Sequence, residues 1–348
     1  MSAQPRTDPE TGANLESLVE DVVRDLPAPD RQLALEIIAT AMKLAGEQVT
    51  RLDRKIVNSA LKEMRHAFRV FTPYKGVRKV TIFGSARTAK GDREYEAARD
   101  FSRLIASRGW MVITGAGPGI MEAGHEGAGG KLSFGVNIRL PFEAKPNPVI
   151  ADDAKLINFK YFFTRKLTFI KEADAFVLLP GGFGTLDEAF ELLTLVQTGK
   201  AALHPIVLLD APGGTYWARF EDYISDELLA RRYVDEADLA LFRRVDDAAE
   251  AVREIDNFYR VYHSTRIVRG KLVIRLNHEL DDGFLSSLSD DFADILRGSI
   301  RRTAASKAEV ADDDVPHLPR IALDFDRRHI GRLRRLVDRI NREGPATS

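Results

Sequence analysis

The spacing of apolar residues changes twice along the chain, and the first segment is helical in pattern. From Leu33 to Phe68 apolar side chains recur every three or four positions without an intervening proline. This spacing predicts two helices in an N-terminal extension across residues 31–76. Residues 1–30 carry seven acidic and two basic side chains. We expect them to form a mobile acidic leader.

Short apolar runs alternate with helical stretches between Val77 and Asn257. Five runs end in a loop at their carboxyl end: VRKVTIFGSAR, WMVITGAGPGIME, KLSFGVNIRLP, ADAFVLLPGGFGT and HPIVLLDAPGG. Helical spacing separates them at residues 93–108, 119–128, 164–172 and 185–197. This alternation predicts an α/β, Rossmann-like doubly wound parallel sheet with helices on both faces across residues 77–257. Ligands of such sheets bind beyond the carboxyl ends of the strands.

The pattern changes again after Asn257, and residues 258–348 are predicted to form a small α+β extension. Predicted elements are a hairpin of Thr265–Val268 and Lys271–Leu276, a strand at Pro319–Phe325 and a helix at Arg327–Arg342. Arg301–Leu318, polar and rich in small residues, is expected to be a loop. The final helix combines an apolar stripe with seven arginines and one acid. That composition is typical of an amphipathic helix with a solvated face, and an acidic partner or RNA is the alternative.

Composition narrows the class of protein. The 348 residues include 51 Lys or Arg, 52 Asp or Glu and no cysteine. A near-neutral chain argues against a nucleic-acid binder that works by bulk charge. The absence of cysteine excludes a disulfide scaffold and cysteine-ligated metal sites, and it fits a reducing cytoplasm. With neither a signal-peptide pattern nor an apolar run of about 20 residues, we expect a cytoplasmic protein that is not in the membrane.

The strongest local feature is a glycine-rich loop that follows a predicted strand and precedes a predicted helix. The loop begins at Pro180 and continues through Gly181, Gly182, Phe183, Gly184 and Thr185; because two others precede it in the chain, it is called the third glycine loop. Glycines let backbone N–H groups approach an anion, and the following helix adds the positive end of its dipole. A phosphate is therefore the expected ligand. The alternative is a plain turn in which Thr185 caps the helix and Glu188 completes a capping box.

Two further glycine loops end the first and second predicted strands. The first contains Gly84 and Ser85, and the second contains Gly115, Gly117 and Gly119. The second loop has Ile120 where the dinucleotide fingerprint G-x-G-x-x-G has its last glycine, which disfavours a dehydrogenase. Three loops at one sheet edge predict a pocket for a nucleoside monophosphate. A simple glycine turn remains the alternative for each loop.

Charged side chains lie between these loops in the sequence. Arg165 and Lys166 are adjacent on a predicted helix, so they point about 100° apart and can serve two targets. The alternative is a solvated basic pair. Glu188, in the first turn of the next helix, can stabilise the oxocarbenium-like state of N-glycosidic bond cleavage. The seven histidines show no metal-ligand spacing, so no metal site is predicted.

The motif PGGFGTLDE resembles the P-G-G-x-G-T-x-x-E signature of the LOG (Lonely Guy) family, which comprises cytokinin riboside 5′-monophosphate phosphoribohydrolases and bacterial relatives. GSAR, GAGPGIMEAGHEGA, GVNIRLPFEAKPNP and YFFTRK follow the bacterial branch in the same order, and the resemblance covers about Val77 to Asn257. It implies a Rossmann-like homodimer that hydrolyses a nucleoside 5′-monophosphate to free base and ribose 5-phosphate, without metal or redox cofactor.

By motif position, Arg165 and Glu188 match the family's essential arginine and glutamate. The candidate substrate-binding residues are Gly84, Ser85, Gly115, Gly117, Gly119, Met121, Lys166, Gly181, Gly182, Phe183, Gly184, Thr185 and Thr194.

The resemblance leaves the substrate base open. The second loop departs from the G-G-G-x-x-G-L-M-G of the plant enzymes, so AMP or another purine monophosphate is as good a candidate as a cytokinin riboside monophosphate. Many relatives carry the label lysine decarboxylase, but no lysine lies in a pyridoxal-phosphate motif here. A competing hypothesis is a non-catalytic nucleotide sensor that acts on a partner through the terminal segments.

Overall fold

The helices predicted near the N-terminus are present in a computed structural model, which describes residues 19–139 and 145–345. They are α1 (Ala28–Gly46) and α2 (Arg51–Phe71). Residues 1–18 of the expected leader lie outside the described residues, and residues 19–23 are helical. The chain divides into two compact units, Met1–Lys62 and Glu63–Ser348. The second unit contains all the elements described below.

A parallel seven-stranded sheet forms the centre of the second unit, which confirms the predicted doubly wound α/β fold. Its strands are β1 (Lys79–Phe83), β2 (Met111–Thr114), β3 (Ser133–Ile138), β4 (Leu156–Phe159), β5 (Ala175–Leu178), β6 (Ile206–Leu209) and β7 (Arg243–Val245). Their order is β4-β3-β2-β1-β5-β6-β7, and every pairing is parallel. The sequence pattern missed β4 and β7. Only three residues long, β7 begins with two exposed arginines and therefore has no apolar run to detect.

Helices cover both faces of this sheet. They are α3 (Arg93–Ala106), α4 (Ile120–Ala128), α5 (Phe162–Glu172), α6 (Phe183–Gln197), α7 (Tyr216–Tyr223) and α8 (Ala248–Phe258). Successive residues of β1 enter different buried clusters, with Ile82 in one and Phe83 in the other. Side chains of a strand alternate between its two faces, so the sheet has an apolar core on each side.

A smaller antiparallel sheet follows, in the order β10-β11-β9-β8. The C-terminal elements are β8 (Tyr262–Val268), β9 (Lys271–Leu276), α9 (Asp282–Asp291), β10 (Arg301–Arg302), α10 (Lys307–Ala311), β11 (Arg320–Leu323) and α11 (Ile330–Glu343). The predicted hairpin and third strand are confirmed. The expectation that Arg301–Leu318 is a loop is wrong in part, because this segment contains β10 and α10. Buried Glu309 fixes α10 by pairing with Arg275 at 2.8 Å and Arg320 at 2.9 Å, which hydrophobic spacing cannot reveal.

The arginines of α11 largely pair with acids of the same unit. Arg332 pairs with Asp294 at 2.8 Å, and Arg334 pairs with Glu254 at 3.0 Å and Asp338 at 2.8 Å. Arg334 is only 3% exposed, so the prediction of a solvated face is wrong there. The apolar stripe of the helix lies in the larger core cluster. Within the described residues, no helix is both long enough and apolar enough to cross a lipid bilayer.

Candidate active site

The three glycine loops meet at the point where the sheet changes its winding direction. From β1 the chain proceeds to β2 on one side, while β5 pairs with the other side of β1. Such a switch point opens a crevice at the carboxyl ends of the two central strands. There the Ser85 N–H donates to the Pro180 carbonyl at 3.1 Å, and the Ile120 N–H donates to the Ser85 carbonyl at 3.0 Å. The predicted convergence of the loops is confirmed.

The third glycine loop is packed on one side and open on the other. A Cβ on Gly181 would lie 2.1 Å from the Thr185 hydroxyl oxygen and 3.1 Å from the Ser85 nitrogen, so no side chain fits. A Cβ on Gly182 or Gly184 would meet nothing within 4 Å. The open side therefore leaves space for a ligand next to the backbone.

Helix α6 begins at Phe183 without a side-chain cap. Its N-cap is Gly182, in an extended conformation, and Thr185 is already the third helical residue. The proposed capping box of Thr185 and Glu188 is therefore wrong, and Glu188 lies in the second turn rather than the first. Since the N–H groups of a first helical turn lack intrahelical acceptors, this end of α6 presents donors and a positive dipole end to the crevice.

Arg165 is held rigidly on α5. Its Nε donates to the Val136 carbonyl of β3 at 2.9 Å, and its guanidinium lies 5.0 Å from the ring centre of Phe169. The residue is 7% exposed. Its Nη2 would lie 2.4 Å from a Cβ on Gly115, so the guanidinium rests directly against the second glycine loop. This places the arginine between β3 and the crevice.

Glu188 faces this guanidinium from α6. Its Oε1 lies 3.5 Å from Arg165 Nη1, and its side chain is 15% exposed. Burial raises the pKa of Glu188 to about 7, although the charge of Arg165 opposes the shift and that of Asp187 adds to it. A carboxyl group with this pKa exchanges its proton near neutral pH, which suits acid–base or electrostatic catalysis.

Lys166 pairs with a different set of acids. Its Nζ lies 2.7 Å from Asp187 and 2.8 Å from Glu191, both on α6. Burial lowers the pKa of Lys166, but hydrogen bonds to the two carboxylates outweigh this and leave the pKa raised. Adjacent Arg165 and Lys166 thus contact different partners, as their positions on the helix predict. The alternative of a solvated basic pair is wrong.

Of three further candidate residues, Met121 lies against a glycine loop, whereas Thr194 and Phe183 are exposed on α6. The sulfur of Met121 would lie 2.6 Å from a Cβ on Gly115, so this side chain covers the second glycine loop. Thr194 is exposed on α6, six residues beyond Glu188 or about 9 Å along the axis. Within the described residues, no hydrogen bond joins Thr194 to the other candidates. Phe183, at the start of α6, is 93% exposed.

Sequence reasoning missed Glu63, a residue of α2 that holds the helix of Arg165. Its Oε1 accepts the Lys160 N–H at 3.1 Å, and its Oε2 accepts the Thr164 hydroxyl at 2.6 Å. Both donors lie at the N-terminus of α5, where a carboxylate is favourable. The sequence separation of 97 and 101 residues left no local signal. Among the described residues, no group of three or more His, Asp or Glu is arranged to hold a metal ion.

A protein family and several individual proteins of known sequence are similar to this chain. A family described as "Possible lysine decarboxylase" matches residues 118–255. A cytokinin riboside 5′-monophosphate phosphoribohydrolase of Mycobacterium tuberculosis is 30% identical over 166 residues, covering 45% of this chain and 83% of that protein. A probable enzyme of the same name from Oryza sativa subsp. japonica is 27% identical over 189 residues, covering 51% of this chain and 76% of that protein.

A solved structure, the molybdenum cofactor carrier protein of Chlamydomonas reinhardtii, is 20% identical over 52% of this chain and 96% of its own. Its TM-score of 0.37 is too low to support an inference about function. The similarity to the mycobacterial protein, together with the family match and the glycine loops at the switch point, shows that this chain belongs to the LOG family.

Proposed function

We propose that this chain hydrolyses the N-glycosidic bond of a nucleoside 5′-monophosphate, releasing the free base and ribose 5-phosphate. The observation that carries the proposal is the pair of Arg165 and Glu188 beside the uncapped start of α6. Relatives that match about half of this chain are named as phosphoribohydrolases of cytokinin riboside monophosphates. The base stays open between adenine and an N6-substituted adenine.

The phosphate binds at the start of α6 in this proposal. Backbone N–H groups there and the helix dipole favour an anion, and Gly182 and Gly184 leave room for it. Glu188 lies four residues beyond Gly184, which is about 6 Å along the helix axis. That span suits a nucleotide whose 5′-phosphate is at the loop and whose C1′ is at the carboxylate.

The chemical step breaks the bond between C1′ and the base nitrogen and forms a bond between C1′ and a water oxygen. The electron pair of the broken bond leaves with the base, and one water proton ends on the base. Positive charge develops at C1′ in between, and the ionised form of Glu188 stabilises it. Arg165 favours that ionised form, since its charge opposes the rise in the pKa of Glu188.

The proposal is tested by incubating the purified full-length chain with a panel of monophosphates that includes AMP and isopentenyl-AMP. Chromatography should detect free base and ribose 5-phosphate in equal amounts. The variant Glu188→Gln should lose this release. Glu227→Gln, which removes a surface acid paired with Arg231, is the control and should retain it.

Failure to release a base from any member of the panel would overturn the proposal. Tight binding without release would instead support the sensor hypothesis. Both release and binding must be measured on the complete chain. Residues 301–345 supply β10, β11 and α11 to the folded core, so deleting them would remove buried side chains.

We further propose that the chain is a homodimer and that a second copy covers an apolar patch beside the crevice. The patch lies on α5 and α6, and its exposed fractions are 48% for Phe162, 54% for Phe163, 48% for Leu167, 93% for Phe183 and 40% for Phe190. Clustered exposed aromatic residues mark interaction surfaces. Light scattering should give twice the chain mass, and Phe163→Asp should lower it to a single chain. A monomeric wild-type protein would contradict the dimer.

A further inference from the structure

A fully buried histidine, His125 of α4, contacts the strands and loop around the second glycine loop (Thr114–Gly119). Its Nε2 lies 3.0 Å from the Phe134 carbonyl oxygen and 3.0 Å from the Thr114 hydroxyl. Its Nδ1 lies 3.1 Å from the side-chain nitrogen of Asn147. These contacts use both ring nitrogens inside the protein. The histidine takes no part in the cleavage of the N-glycosidic bond.

The contacts define which ring nitrogen carries the hydrogen. A carbonyl oxygen only accepts hydrogen bonds, so Nε2 must be protonated to bond Phe134. Burial lowers the pKa of His125 and keeps the ring neutral, so Nδ1 carries no hydrogen and accepts one from the Asn147 amide. The histidine thereby fixes the orientation of the Asn147 side chain.

Asn147 in turn holds the backbone of the second glycine loop. Its side-chain nitrogen lies 3.1 Å from the Ala116 carbonyl oxygen and 3.0 Å from that of Gly117, so its two hydrogens are shared among these carbonyls and His125 Nδ1. Its backbone N–H also donates to Ala116 at 2.8 Å. With Thr114 accepting the Ala116 N–H at 3.0 Å, both backbone groups of Ala116 are bound within this network.

Ala116 needs such restraint because its φ is 64°, in the left-handed region that is unfavourable for a residue other than glycine. The conformation has a consequence for the site. Gly115, the preceding residue, lies so close to Arg165 that a Cβ there would be 2.4 Å from Nη2. A shift of the loop by a fraction of an ångström therefore changes the space available to the guanidinium.

We infer that His125 and Asn147 form a positioning pair, which sets the second glycine loop against Arg165 and so fixes the site for a nucleoside monophosphate. The inference rests on the proposed function and deepens it. Neither residue touches the crevice itself. Their effect reaches the ligand through Ala116, Gly117 and the loop backbone.

The test compares His125→Gln, Asn147→Ala and the double variant with the wild type. Affinity for AMP is measured by calorimetry, kcat and KM are measured by base release, and thermal unfolding is followed separately. Each single variant should weaken AMP binding and raise KM about tenfold, the loss expected for one hydrogen bond. Because the two residues act as one unit, the double variant should lose no more than either single variant.

A matched control is Ser102→Ala. It removes another fully buried hydrogen bond, from the Ser102 hydroxyl to the Ala98 carbonyl at 2.8 Å, without touching the second glycine loop. This variant should lower the unfolding temperature and leave KM unchanged. If His125→Gln does not fold, Thr114→Val removes the hydroxyl that accepts the Ala116 N–H and is expected to raise KM in the same way.

Unchanged AMP affinity and KM in folded variants, or losses that add fully in the double variant, would overturn the inference. Failure of the proposed function has a different outcome, because the wild type itself would then neither bind nor hydrolyse any monophosphate.

Discussion

Neutralising Glu188 is expected to stabilise the fold while it abolishes base release. The carboxyl group lies mostly out of water, 3.5 Å from Arg165, and its pKa is about 7 instead of 4.5. This difference in the pKa corresponds to about 3.4 kcal/mol. Between pH 4.5 and 7 the folded state keeps a proton that the unfolded state releases. The stability that this group contributes is therefore present below about pH 4.5 and is lost as the pH rises through 7.

This contribution to stability is measured by urea unfolding of the wild type and Glu188→Gln at pH 5 and pH 8. The quantity compared is the difference between their free energies of unfolding. Other titrating groups cancel in this difference because both proteins contain them. The advantage of the variant should grow by about 2.5 kcal/mol between the two pH values. Both tryptophans, Trp110 and Trp217, are buried in the unit that contains Glu188, so their fluorescence reports the relevant transition.

Activity gives an independent check of the same pKa. If the ionised carboxylate supports catalysis, kcat/KM of the wild type rises with pH and has an inflection near 7. The control Glu227→Gln, which leaves Glu188 in place, should show the same inflection. A variant that is less stable than the wild type by the same amount at both pH values would refute the reasoning, because burial of the charge would then carry no cost.

Three further predictions concern residues around the site and the C-terminal sheet. Gly115→Ala should lower kcat/KM at least tenfold, since its Cβ would lie 2.4 Å from Arg165 Nη2, whereas Gly76→Ala, with open space around it, should have no effect on kcat/KM in the same assay. Glu63→Gln should lower the free energy of unfolding by about 0.5–1 kcal/mol and kcat/KM several-fold, because a charge at the N-terminus of α5 is lost; unchanged urea unfolding would contradict this. Glu309→Ala should cost about 3–5 kcal/mol in urea unfolding, as it leaves Arg275 and Arg320 buried without their shared carboxylate; a loss below 1 kcal/mol would contradict it.

The sequence predicts the features of the fold that depend on local sterics and apolar runs. Glycine loops at strand ends are recognisable because close backbone contacts, such as Gly181 against Thr185, exclude every other residue. Strands without an apolar run are not recognisable, and β7 is an example. The predicted start of α6 is two residues late because the helix begins at Phe183 after Gly182, without the side-chain cap that the motif suggested at Thr185. Contacts between distant residues, such as Glu63 with Thr164, leave no pattern at all.

The position of Arg165 explains why Glu188 can have a pKa near neutrality. A carboxylate paired closely with an arginine has a lowered pKa and stays ionised, whereas an unpaired buried carboxyl group stays protonated. Here the guanidinium is tied by Nε to the Val136 carbonyl and rests on Phe169, so its Nη1 stays 3.5 Å from the carboxylate instead of closing on it. The attraction offsets only part of the burial, and the pKa remains about 7. Burial thus raises the pKa of Glu188 and the charge of Arg165 limits the rise, while the second glycine loop rests against the guanidinium that the Val136 carbonyl holds in place.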